Sequence, residues 1–116
     1  IHIENAMEYI MNCDLAGDLT NEGVAKGIGV SANYLTSIFQ MYLGISLHKY
    51  IMIVRIEHAQ QLLLSGKVNV TEAAYMTGFS SIHVFSKTFK NIMGISPSKF
   101  MNETVTRKKE VKFYVD

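Results

Sequence analysis

The stretch Ala73-Ala74-Tyr75-Met76-Thr77-Gly78-Phe79-Ser80-Ser81-Ile82-His83-Val84-Phe85-Ser86-Lys87-Thr88-Phe89-Lys90-Asn91-Ile92-Met93-Gly94-Ile95-Ser96-Pro97 decides the fold. Gly78 follows a short apolar segment, at a point where the backbone must take a positive φ to leave a helix. Ser80 or Ser81 can then accept from the free amides that open the next helix. Beyond that cap, Phe85, Phe89 and Ile92 recur at helical spacing. Gly94 stops this second helix, Ser96 caps another, and Pro97 takes a first helical position, where its missing amide donor costs nothing. A short helix, a tight turn and a second helix make a helix-turn-helix over about 70–94.

The same unit occurs earlier in the chain. Gly44-Ile45-Ser46 returns as Gly94-Ile95-Ser96, and Phe39 as Phe89, both fifty residues on. Val24-Ala25 through Gly29-Val30-Ser31 to Leu35 and Phe39 matches Ala73-Ala74 through Gly78-Phe79-Ser80 to Phe85 and Phe89, with one extra residue in the second turn. A first helix-turn-helix is therefore expected over about 20–44, with Ser31 as cap and Leu35, Ile38, Phe39 and Tyr42 turned to the core. Between the units, Leu47, Tyr50, Ile51, Val54, His58, Ala59 and Leu62 form an i, i+3, i+4 stripe that predicts one linker helix over about 46–64, ended by Gly66. Its nineteen residues span roughly 28 Å. That is close to the ~34 Å between successive major-groove faces of duplex DNA. An opening helix over about 3–13 is expected to turn Ile3, Met7, Ile10 and Met11 inward and to pack on the first unit.

Composition agrees with an all-α globular chain. The 116 residues are 48% apolar and 18% charged, with a single proline, which suits one folded domain and not a disordered segment. The lone Cys13 forms no internal disulfide and reads as a small core residue, in keeping with a reducing, cytoplasmic setting. No apolar run reaches the roughly 18 to 20 residues of a membrane span. The chain opens on Ile1 in place of Met, so it reads as a fragment, with any sensor domain expected ahead of it. His2, His48, His58 and His83 are dispersed, paired thiols are absent, and there is no glycine-rich phosphate loop. Neither a metal, a cofactor nor a catalytic site is expected, and the chain does not read as an enzyme. A protein-interaction module would suit the net charge of +1, but a protein partner imposes no 34 Å repeat, whereas DNA does.

Charge is unevenly placed. From residue 1 to 25 the charged side chains are Glu4, Glu8, Asp14, Asp18 and Glu22, whereas from 79 to 101 they are Lys87, Lys90 and Lys99. A tail over 102–116 adds Arg107, Lys108, Lys109 and Lys112 against Glu103, Glu110 and Asp116. One face can thus meet phosphates while the acidic end looks away.

With Leu35, Ile38 and Phe39 assigned inward, the first reading helix is left with Ser31, Asn33, Thr36, Ser37 and Gln40 to meet DNA. Asn33 can pair bidentately with an adenine edge, Thr36 offers a hydroxyl and a methyl, and Gln40 suits a phosphate. The second helix offers Ser81, Ile82, His83, Ser86, Lys87 and Lys90. Lys87 can take guanine or a phosphate, Lys90 a phosphate, and Ile82 thymine methyls. Protonation of His83 would add a phosphate partner, so that binding would vary with pH. Amides near Ser31 and Ser81 can also hold phosphates. As plain surface residues these groups would need no partner beyond water.

The chain resembles the AraC/XylS family of bacterial transcription regulators over about residues 4–101. The resemblance is carried by Ala73-Ala74, Gly78-Phe79, Phe85-Ser86-Lys87, Phe89-Lys90, Gly94, Pro97-Ser98 and Phe100, with Arg55, Ala59 and Leu62-Leu63 matching the family's linker. It implies seven helices in two helix-turn-helix subdomains joined by a long central helix, and binding to double-stranded DNA. It places Asn33, Thr36, Ser37 and His83 at base-facing positions. It further implies RNA polymerase as a partner and dimerisation through an N-terminal domain. Ser37 and Gln40 depart from the family, which often has basic residues there, as do Asn21, where an apolar residue is usual, and Met101, where arginine is common. Fewer phosphate contacts are expected from the first unit.

Overall fold

The computed structural model describes residues 1–17 and 19–103; the tail lysines and Arg107 singled out above, and Asp18, lie outside the described residues. Six helices are fully bounded: α1 (His2–Met11), α2 (Asn21–Ile28), α3 (Ala32–Leu43), α4 (Leu47–Ser65), α5 (Val70–Met76) and α6 (Ile82–Met93). A seventh, α7, runs over 97–103, and no strand occurs among the described residues. The all-α, seven-helix expectation is met.

Local chemistry sets each boundary. Thr20, Ser31, Ser46 and Ser81 each accept an amide hydrogen bond from the third residue beyond, capping α2, α3, α4 and α6. Ser81 therefore takes the cap in the second unit, and Ser80 is the inserted residue. Ser96 likewise accepts from the Lys99 amide at 3.2 Å, with buried Pro97 opening α7. Short α5 carries a reciprocal capping box: Asn69 accepts from the Glu72 amide at 2.8 Å, and the Glu72 carboxylate accepts from the Asn69 amide at 3.0 Å. Asn69→Ala is expected to cost about 1 kcal/mol in a urea melt.

Two cores form, one at each end of α4. Ala6, Ile10, Leu15, Val24, Ala25, Leu35, Phe39, Leu47, Ile51 and Val54 make the first. Ile56, Ala59, Leu63, Ala73, Ala74, Phe79, Phe85 and Phe89 make the second. The repeat extends to the packing: Phe39 meets Tyr50 at 5.6 Å between ring centroids, and Phe89 meets Phe100 at 5.7 Å. Burial, and then the Glu57 carboxylate, push the Tyr50 phenol above its ordinary value, which keeps it neutral. With two cores on one rod the molecule is elongated, 55 × 27 × 22 Å.

The linker stripe is not the single one expected. At about 100° per residue, Leu47, Ile51 and Val54 share one side of α4, while Ile56, Ala59 and Leu63 share another roughly 150° round the helix. The buried face changes side at mid-helix because each unit packs on its own side. His58 lies on the first side but beyond the first core, and is exposed. Tyr50 and Leu62 are half-buried at the edges.

Three more inward assignments are corrected. Met11 is 72% exposed, because it is one residue on from Ile10 and so about 100° off the buried line of α1. Tyr42 is 71% exposed, because α1 begins at His2 beneath it, leaving an open groove shared with Ile1, Ile3 and Ile38. Cys13 lies past the end of α1 and is only half-buried.

Candidate nucleic-acid interface

Each reading helix is held by its neighbours through two residues four apart. Leu35 and Phe39 of α3 and Phe85 and Phe89 of α6 are all 0% exposed. This pins both helices by the same side, so residues fifty apart occupy equivalent positions. Asn33 corresponds to His83, Thr36 to Ser86, Ser37 to Lys87, and Gln40 to Lys90. Asn33, Ser37 and Gln40 are exposed, as are His83, Lys87 and Lys90, whereas Thr36 and Ser86 are half-buried on the flank. Ile82 is 38% exposed at the start of α6.

The hydroxyls of Ser31 and Ser81 bond to their own helices. The Ser31 hydroxyl oxygen accepts from the Tyr34 amide at 3.2 Å, and that of Ser81 from the Val84 amide at 3.3 Å. Each cap satisfies the third amide of its helix. The amides of Ala32 and Asn33, and of Ile82 and His83, precede the first intrahelical bonds and face out along the positive end of the helix.

The turns are built alike. Gly29 adopts φ +80 and Gly78 φ +92, and the next residue donates back into the preceding helix: Val30 to the Ala25 carbonyl and Phe79 to that of Ala74, both at 3.0 Å. Phe79 is then buried in the second core, while Val30 packs half-buried against the first.

Two residues were not anticipated on the outward side of α3. Tyr34 is half-exposed and Met41 strongly so; helical steps of 300° and 40° from Ser37 place them beside it. Val84 and Asn91 are their exposed equivalents on α6. Charge divides by unit: Glu4, Glu8 and Glu22 are exposed on α1 and α2, while Lys87 and Lys90 are exposed on α6. Among the described residues no group of acidic, histidine or cysteine side chains could hold a metal, and no helix is long and apolar enough to cross a membrane.

A model of the helix-turn-helix domain family matches residues 24–103. The C-terminal domain of AraT, a response regulator from Geobacillus stearothermophilus, has the same fold, with a TM-score of 0.81 at 35% identity over 88% of this chain and 84% of that one. The chain belongs to the AraC-type DNA-binding domains. Such an AraC-type domain binds DNA on behalf of a transcription regulator. The Msm operon regulatory protein of Streptococcus mutans is 36% identical over 99 residues, covering 85% of this chain and 36% of that protein. The AraC-type domain thus spans little more than a third of that curated relative's length. The DNA-binding domain of AdpA, solved in complex with a target DNA, shares the fold at a TM-score of 0.80 and 21% identity, covering 93% of this chain and 96% of that one.

Proposed function

We propose that α3 and α6 enter successive major grooves on one face of duplex DNA and that Asn33, Thr36, Ser37, His83, Ile82, Ser86 and Lys87 meet base edges. Gln40 and Lys90, with the helix-opening amides behind Ser31 and Ser81, hold phosphates. The observation that carries this reading is the matched pair of outward faces, in register at fifty residues, mounted on opposite ends of one nineteen-residue helix. A helix of that length spans roughly 28 Å, near the ~34 Å groove repeat. Because the two faces differ at the Asn33/His83, Thr36/Ser86, Ser37/Lys87 and Gln40/Lys90 pairs, the site is asymmetric.

In this reading the chain is the DNA-reading part of a longer cytoplasmic regulator. RNA polymerase is a partner of the DNA-bound state. Dimerisation comes from sequence outside this chain, adding avidity to a domain with few phosphate-binding groups.

Titration with random-sequence duplex at two salt concentrations tests the reading. Affinity should fall steeply with salt, and an absence of binding at low salt would sink it. Sites selected from a random pool then test the residue roles. Asn33→Ala should lose about 1–3 kcal/mol of discrimination at one base position. An equal loss on every sequence would remove Asn33 from its assigned role.

A further inference from the structure

Arg55 is the one charged residue among the buried polar residues of the described chain, 5% exposed at the midpoint of α4. Its position on the helix is unusual. At about 100° per residue it falls between the side that serves the first core and the side that serves the second. From that seam its guanidinium reaches into both units. Nη1 donates to the Leu15 carbonyl at 3.1 Å and to the Thr77 carbonyl at 2.9 Å, and Nη2 donates to the Leu19 carbonyl at 3.3 Å.

Those carbonyls belong to the parts that orient the reading helices. Leu15 and Leu19 flank the loop that leads through the Thr20 cap into α2. Thr77 closes α5, its hydroxyl donating to the Ala73 carbonyl at 2.8 Å, so its own carbonyl is held at the negative end of that helix. The next residue is Gly78, and a Cβ there would enter both the Arg55 guanidinium and the Leu15 carbonyl. The second turn is thus pressed against the first unit with Arg55 between them. A flexible ammonium cannot replace this contact, since three carbonyls in fixed directions call for the planar fork of donors.

We propose that Arg55 is a positioning residue that sets the spacing and rotation between α3 and α6, and so the number of base pairs the domain accepts between its two half-sites. This rests on the two-groove reading above. One base pair more or less moves a half-site by about 3.4 Å and roughly 35° along the duplex, a mismatch that only a rigid coupling between the units would resist. Rigid linkage of two weak readers multiplies affinity by about 10²–10⁴, so wild-type protein should bind a site lengthened or shortened by one base pair at least roughly tenfold more weakly.

The test uses the full chain, duplexes carrying a site selected from a random pool, and the same duplexes with one base pair inserted or removed between half-sites. Arg55→Met should lower affinity for the selected spacing while leaving the altered spacings and an isolated half-site nearly unchanged, bringing the preference to under about threefold. Arg55→Lys should fall in between, and it carries the test should the Met variant not melt cooperatively. An unchanged preference in a folded variant would overturn the inference, as would an equal loss on all duplexes, which marks a merely structural role. Wild-type protein indifferent to spacing would overturn the two-groove reading and this inference with it.

A DNA-free measurement separates the two. Spin labels at Met41→Cys and Asn91→Cys, in a Cys13→Ala background, should give a narrow distance distribution that broadens in Arg55→Met. A distribution of unchanged width would overturn the clamp while leaving the DNA reading intact.

Discussion

Phe89→Ala is expected to cost about 3–5 kcal/mol, the range for deleting a fully buried aromatic ring. That is a large part of the 5–15 kcal/mol typical of a small domain. Phe89 is 0% exposed and stands between Phe85 and Phe100, at 5.7 Å from each ring centroid, while Phe85 continues to Phe79 at 5.2 Å. The second core is thus a run of aromatic rings packed on Ile56, Leu63 and three alanines. The two cores are distinct, so the loss should fall on α5, α6 and α7 first. Four of the six tyrosines, Tyr9, Tyr34, Tyr42 and Tyr50, belong to the first unit or the start of α4. In a urea melt of the variant, near-ultraviolet tyrosine dichroism should therefore persist beyond the loss of part of the helical signal. Coincident curves with the full stability loss would mean that α4 couples the cores into one cooperative unit.

The parts of this fold legible in the sequence are those with local causes. Every helix start after α1 is marked by an oxygen-bearing side chain that reaches its own third amide, and four ends carry a glycine at positive φ. These signals act over a few residues, and the fifty-residue repeat shows each of them twice. The outward positions followed from the same regularity: once Leu35, Phe39, Phe85 and Phe89 are inside, Asn33, Ser37, Gln40, His83, Lys87 and Lys90 must be outside.

What the sequence concealed depends on which side of a helix has a neighbour. In α4 two half-stripes on different sides overlap in the middle, and a single period fitted through them admits His58 and leaves out Ile56 and Leu63. Tyr42 continues the apolar spacing of α3 but reaches past the start of α1, so periodicity alone gave it a neighbour it does not have. Arg55 is the extreme case, because its carbonyl partners lie 40, 22 and 36 residues away and a carbonyl has no side-chain signature. A buried arginine at the seam between two half-stripes was the only trace available, and the seam itself was not visible.

The two units should contribute unequally to affinity, and the fifty-residue register allows the inequality to be moved from one to the other. Lys87 and Lys90 face outward where the first unit presents Ser37 and Gln40. A lysine that neutralises a phosphate releases about 0.9 of a counterion, so removing the Lys90 contact should flatten the slope of log K against log salt by nearly 1. At 0.1 M salt this corresponds to a loss of roughly eightfold for Lys90→Ala, and the double variant Lys87→Ala with Lys90→Ala loses the Lys87 base contact as well. Since Lys90 is assigned to phosphate, its share of the loss should be the same on selected and random duplex. Lys87 is assigned to a base edge, so its share should be larger on the selected site. Ser37→Lys with Gln40→Lys in that double-alanine background should restore most of the salt slope, because the transplanted charges occupy the equivalent face of α3. Selectivity should not return in full, since Lys87 would still be missing and Ser37, assigned to a base edge, would have been replaced. If the transplant leaves the slope flat, α3 does not approach the phosphates as α6 does, and the equivalence of the two reading helices on DNA is wrong.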